Sequence, residues 1–307
     1  MAFQNKGNPG TEALVQAFER HLRRSRGAAD ETCRGYTRYV LEFLTSRFGG
    51  DRVDVERIRP SDVVEFVTAK SAHLQPRSVQ QVAAALRALF RFLRVEGACD
   101  ARLADAIPTV AAWRLSTLPR SLGDEQLRLL LASLDGSTAR GLRDRAIVLC
   151  LSALGLRAGE VAGLHLEDLD WRAGTVYVRT RKTRRGALLP LPSELGRALV
   201  AYLRSGRPPT QERHMFVVHR GSGSPMTSRA VRDVVRYALQ RAEIAAPTMG
   251  SHVLRHTLAT RMVRRGASLW EIADLLGHRS LDTTAIYAKV DLPSLRAVAL
   301  PWPEVTS

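Results

Sequence analysis

A chain of 307 residues, 45% hydrophobic and 25% charged, is long enough for two ordinary domains with cores of their own. It contains no run of about 18 apolar residues, which argues against a membrane-spanning helix, and its opening MAFQNKGNPG lacks the basic-then-apolar order of a secretory leader. With 46 Lys and Arg against 30 Asp and Glu the net charge is +16, which favours a polyanionic partner, because neutralising phosphates releases condensed counterions.

Four helical patterns fill the first hundred residues. Thr11–Arg24 sets Leu14, Val15, Phe18 and Leu22 on one face. Asp30 is placed to cap a second helix with Tyr36, Val40, Phe43 and Leu44 as its stripe. Arg59-Pro60-Ser61-Asp62 starts a third, carrying Val63, Val64, Phe66 and Val67. Gln75-Pro76-Arg77 precedes a fourth with Val79, Val82, Leu86, Leu89, Phe90 and Leu93. Prolines at 108 and 119 then bracket an irregular stretch, read as a linker over 109–118.

Beyond the linker, Gly123–Leu134 and Gly141–Leu154 read as helices. Thr175–Arg179 and Ala187–Leu191 alternate about a basic, glycine-containing turn, the pattern of a hairpin, and His214–Val218 is expected to add a third strand. Helices resume at Ser228–Ile244, His252–Arg265, Leu269–Leu276 and roughly Leu281–Lys289. Ser268 and Glu271 have capping-box spacing, and Gly266 and Gly277 stand where helix ends favour glycine. Pro293–Leu300 is expected to form a short apolar tail helix.

Charge is unevenly shared: residues 1–108 hold 17 basic and 13 acidic side chains, the remainder 29 and 17. Only Lys6, Lys70, Lys182 and Lys289 are lysines, so an arginine-rich genome is a second source of the excess, and charge alone says nothing of chemistry. Cys33, Cys99 and Cys150 are too dispersed for a disulfide framework or zinc set and read as buried thiols of a cytoplasmic protein.

The C-terminal third carries the chemistry. In Gly250-Ser251-His252-Val253-Leu254-Arg255-His256-Thr257, His252 and Arg255 are three apart, on one helical face and able to meet one anion. Leu276-Gly277-His278 puts a histidine after a helix-ending glycine, and Tyr287 follows nine residues later. Upstream, Gly155-Leu156-Arg157 leads into a helix start with Glu160. Taken alone, Tyr287 at helical spacing reads first as core packing, and Glu160 as a helix-dipole partner. His21, His73, His165, His214 and His219 have no comparable neighbourhood and read as surface or core residues.

In order, G-L-R-x-x-E, a hairpin lysine, H-x-x-R-H, L-G-H and a tyrosine resemble the tyrosine recombinases of the phage-integrase family, over roughly Leu118 to Val290. The resemblance implies a mainly α fold with a small antiparallel sheet, in a two-domain DNA clamp. Residues 1–108 would be a SAM-like core-binding domain and residues 119–307 the catalytic domain with its tail helix. It further implies that Arg157 and Arg255 clamp the scissile phosphate, as planar guanidinium forks suit its oxygens. His252 and His278 would hydrogen-bond that phosphate, Tyr287 attack it, and Glu160 support the clamp. Lys182 would protonate the departing oxygen, a role open to lysine and closed to arginine near neutral pH. Arg181 and Arg184 beside it, and Arg77, Arg87, Arg91 and Arg94 on the fourth helix, are the expected DNA contacts.

The implied reaction is metal- and ATP-free strand exchange through a 3′-phosphotyrosyl link and a Holliday junction, by a homotetramer on paired duplex sites. The type is Xer-like or mobile-element. The chain departs from the family in lacking the glycine usual beside the hairpin lysine and in having Arg279 after L-G-H. Two other readings share much of the pattern: type IB topoisomerase-like relaxation, and a catalytically silent DNA-binding accessory protein.

Overall fold

The computed structural model describes residues 10–49, 52–99, 102–111, 121–179, 186–219, 221, 223–278 and 280–290. It divides into two units, residues 1–113 and 114–307.

In the first unit, α1 (Thr11–Arg26), α2 (Asp30–Phe48), α3 (Pro60–Ser71), α4 (Pro76–Val95) and the short α5 (Arg102–Asp105) surround one core. α4 is its centre, with α1, α2, α3 and α5 all packed on it. That is why its buried residues wrap beyond a single stripe, from Val79 through Leu86 and Phe90 to Leu93. Each fully buried Leu or Phe contributes about 1.5–3 kcal/mol, more than an N-cap's roughly 1 kcal/mol, so packing sets the helix positions. Asp30 illustrates this: it is not the cap of α2 but its first residue, with Ala29 at the cap position and the Asp30 carboxylate paired with Arg23 of α1. Cys33 and Tyr39 join the buried face, whereas Tyr36 is only half-buried. Val64, expected in the stripe of α3, is 40% exposed.

The second unit is built on α7 (Ala139–Ala153), where every residue from Ala146 to Leu151 is buried. α6 (Asp124–Ala132), α8 (Ala158–Ala162), α9 (Ser193–Ala201), α10 (Ser228–Arg241), α11 (His252–Arg264) and α12 (Leu269–Leu276) complete its helices among the described residues. α9 runs on into a π turn at Tyr202–Gly206 and has no counterpart in the sequence reading.

The antiparallel sheet has the order β1 (Leu169–Asp170), β2 (Thr175–Val178), β3 (Ala187–Pro190), with Val176 opposite Leu189 and Val178 opposite Ala187. The hairpin is as expected, but the third strand is 169–170 rather than 214–218. Met215, Phe216 and Val217 are all fully buried, and the segment makes isolated bridges, His214 with His165 and Val217 with Pro225, rather than a ladder. Their backbone pairs with loops, Met215 N–H to the Leu164 carbonyl at 2.7 Å and Met226 N–H to that of Phe216 at 3.0 Å. The expected helix over 281–289 is two 3-10 turns, Leu281–Thr283 and Ala285–Val290, meeting at Thr284. Thr284 is wholly buried, its N–H closes the first turn on the Leu281 carbonyl at 2.7 Å, and its own carbonyl accepts the Tyr287 N–H at 2.9 Å. The tail at 293–300 lies outside the described residues.

Candidate active site

Two chain reversals place most of the candidate residues. The first is Leu154-Gly155-Leu156 after α7. Gly155 has φ +62°, and a Cβ there would meet Leu276 Cδ2 at 2.6 Å, so both backbone conformation and space demand glycine. Arg157 follows as the N-cap of α8. Buried Glu160 accepts the Arg157 backbone N–H at 2.8 Å and its Nη1 at 2.7 Å. One carboxylate thus caps the helix and aims the guanidinium.

The second reversal ends α12. Gly277 is left-handed at φ 59°, and His278 N–H returns to the Ala273 carbonyl at 2.9 Å. The His278 ring is fixed through Nδ1, 2.7 Å from Thr284 Oγ1. With the hydroxyl donating, Nε2 carries the proton and is the nitrogen left to donate to an anion.

Arg255 joins these reversals. Its side chain, 5% exposed, donates from Nη1 to the Gly155 carbonyl at 2.5 Å and from Nη2 to that of Leu276. One guanidinium therefore ties the segment two residues before Arg157 to the segment two residues before His278. Removing it would leave two buried carbonyls unpaired, at about 1–3 kcal/mol each. Next to it, Thr257 accepts the Leu122 N–H at 2.8 Å, anchoring α11 to the start of the unit.

Tyr287, on the last 3-10 turn, is 1% exposed and packs with Ala259, Val263, Ile272 and Leu276. Core packing and a functional hydroxyl are not exclusive here, because the phenol oxygen lies 2.8 Å from His256 Nδ1. Burial pushes the Tyr287 phenol up to about 12, opposed by the charge of Arg255. Burial, then His252 and Arg255, push His256 down to about 4; burial, then Arg255, Arg157 and His256, do the same to His278. These mutual influences delimit one electropositive pocket with neutral imidazoles. Such a site can bind an anion, donate hydrogen bonds to it and present a phenol.

His252 is the first residue of α11 and exposed. Lys182, Arg181 and Arg184 lie outside the described residues. On α4, Arg77, Arg91 and Arg94 are exposed, but Arg87 donates to the carbonyls of Ile107 and Pro108 at 3.1 and 3.2 Å, which makes it a brace for the segment after α5. Three residues were given no role by the sequence reading. His256 and Thr284 orient through contacts across the fold. Buried Asp168 accepts Arg179 at the end of β2 and the His165 backbone N–H at 2.8 Å, holding the root of the hairpin. Only Asp168 carried a local signal, its place four residues after Leu164. Among the described residues no three His, Cys, Asp or Glu are grouped to hold a metal, and no helix is long and apolar enough to cross a membrane. Cys33 and Cys150 are buried free thiols and Cys99 a half-buried one.

Residues 120–292 match the model of the phage integrase family, and residues 15–97 that of the phage integrase N-terminal SAM-like domain. The chain is 43% identical to "Putative integrase/recombinase y4rA" of Sinorhizobium fredii, over 96% of this chain and 72% of that one. It is 31% identical to the tyrosine recombinase XerC of Oceanobacillus iheyensis, over 93% of this chain and 94% of that one. In fold it matches the XerH site-specific recombinase bound to palindromic difH substrate, with TM-score 0.72, 22% identity and coverage of 94% and 85%. The class is that of DNA strand-exchange enzymes. This chain belongs to the phage integrase family and is a tyrosine recombinase.

Proposed function

We propose that this chain is a site-specific recombinase in which Tyr287 attacks a phosphodiester held by Arg157, Arg255, His252 and His278. Attack gives a 3′-phosphotyrosyl link and a free 5′-hydroxyl, with Lys182 supplying the proton to the departing 5′ oxygen. The phosphodiester bond energy is conserved in the link, so resealing with another strand requires neither ATP nor metal. Residues 1–108 serve as the core-binding domain and 119–307 as the catalytic domain, and four copies on two duplex sites exchange strands through a Holliday junction in the cytoplasm. Accumulated family likeness to Xer proteins and to an integrase/recombinase supports an Xer-like or mobile-element type.

The observation carrying the reading is the Arg255 guanidinium, whose bonds to the Gly155 and Leu276 carbonyls draw the Arg157 and His278 segments together. Two labelled duplexes bearing the same binding site, incubated with protein and a metal chelator, test it. Four-way junctions and recombinant duplexes are expected. Plasmid relaxation without joint products would assign the topoisomerase-like alternative, and specific binding without either would assign an accessory protein.

A further inference from the structure

We propose that His256 is a catalytic residue of this recombinase: its Nδ1 aligns the Tyr287 hydroxyl and receives the phenolic proton as the oxygen attacks phosphorus. The proposal rests on Tyr287 being the nucleophile.

The geometry is specific. His256 Nδ1 lies 2.8 Å from the Tyr287 hydroxyl oxygen, with ring centroids 5.7 Å apart and planes at 55°. His256 follows Arg255 directly on α11, so the helix that brings Arg255 to the pocket also fixes this imidazole. A phenol can only donate to an imidazole nitrogen that lacks a proton, which requires the Nε2–H tautomer. His256 is half-buried, and the charged or titratable groups around it are His252 and Arg255 on α11, with His278 after α12.

Those groups make the transfer conditional. In the protein alone, burial and the charges of His252 and Arg255 keep His256 neutral and an acceptor, while burial keeps Tyr287 protonated. A bound phosphate supplies negative charge to Arg255 and His252 and so offsets the repulsion that disfavours a proton on His256. As the phenol oxygen bonds phosphorus its proton becomes acidic. The balanced step breaks the phenol O–H and P–O5′ bonds and forms the O–P and Nδ1–H bonds. The 5′ oxygen takes a proton from Lys182, and resealing reverses every transfer. A proton acceptor in place typically contributes 10²–10⁴-fold to such a step.

The test measures single-turnover adduct formation at saturating protein, on nicked duplexes from the DNA flanking the coding sequence that the protein binds specifically. His256→Asn keeps an amide oxygen near the Nδ1 position but cannot take up a proton. It is expected to cleave about 10²-fold more slowly with DNA affinity unchanged. Replacing Tyr287 by a fluorinated tyrosine, whose phenol is more acidic, is expected to restore about tenfold of that loss in the variant while slowing the otherwise wild-type protein. His256→Asn cleaving within about threefold of wild type, or fluorination slowing both proteins alike, would overturn the proposal. An adduct that persists in Tyr287→Phe would instead show that the nucleophile is another residue, removing the reading and the proposal together. Should His256→Asn not fold, nitrogen NMR of wild type decides: an unprotonated Nδ1 whose resonance moves in Tyr287→Phe supports the role, and a protonated Nδ1 overturns it.

Discussion

Glu160 shows how much one side chain arranges. Its carboxylate holds both the backbone N–H and the guanidinium of Arg157, so Glu160→Ala should slow strand cleavage about 10–100-fold while changing DNA affinity little. A gel assay of adduct formation beside a binding titration checks this, and equal losses in both would refute it. The half-buried His256 and His278 set an acid sensitivity. Both are pushed down to about 4 from an ordinary 6.5, so between those values the unfolded chain binds protons that the folded chain does not. Stability is therefore full above about pH 6.5 and falls as pH drops toward 4. Melting curves should show a shallower decline for the His256→Asn/His278→Asn double variant than for wild type. Arg157, Arg255, His278 and Tyr287 could be singled out because the ordered motifs around them resemble those of the family, while chemistry alone fixes the side-chain types and not their order along the chain. His256 was quoted within its motif yet given no role, because its partner comes from a segment 31 residues later whose 3-10 course no local pattern shows.

Among the elements, the turn after α7 is the most constrained. Gly155→Ala places a residue at φ +62° and a methyl 2.6 Å from Leu276 Cδ2, while the same residue's carbonyl receives Arg255. The left-handed conformation alone costs about 1–2 kcal/mol, and the clash adds to it. The melting temperature should fall and cleavage should fall with it; an unchanged melting temperature would contradict the strain argument. Amphipathic helices such as α1 and α4 were readable because a 3.6-residue apolar period survives packing. The third strand was misplaced because a short buried run looks the same whether it pairs in a sheet or crosses the core, and only the Met215 and Met226 backbone partners distinguish the two. α9 went unread between the hairpin and α10.

For the whole molecule, the +16 charge makes DNA binding steeply salt-dependent, with each phosphate contact worth close to one unit of log–log slope. Replacing exposed Arg91 and Arg94 with Ala should lower the slope by about two. Arg87→Ala should instead lower the melting temperature, since its donors hold Ile107 and Pro108; an unaltered slope in the first variant would remove α4 from the DNA face. A basic helix in a sequence does not separate these two uses of arginine, and the bonds to the chain after α5 do. The central claim is that Tyr287 becomes covalently joined to DNA. Nicked duplexes let the freed 5′ fragment diffuse away, so wild-type protein with a metal chelator should accumulate a denaturation-resistant adduct that peptide mapping places on Tyr287, and Tyr287→Phe should form none. An adduct of equal yield in both proteins would contradict the account.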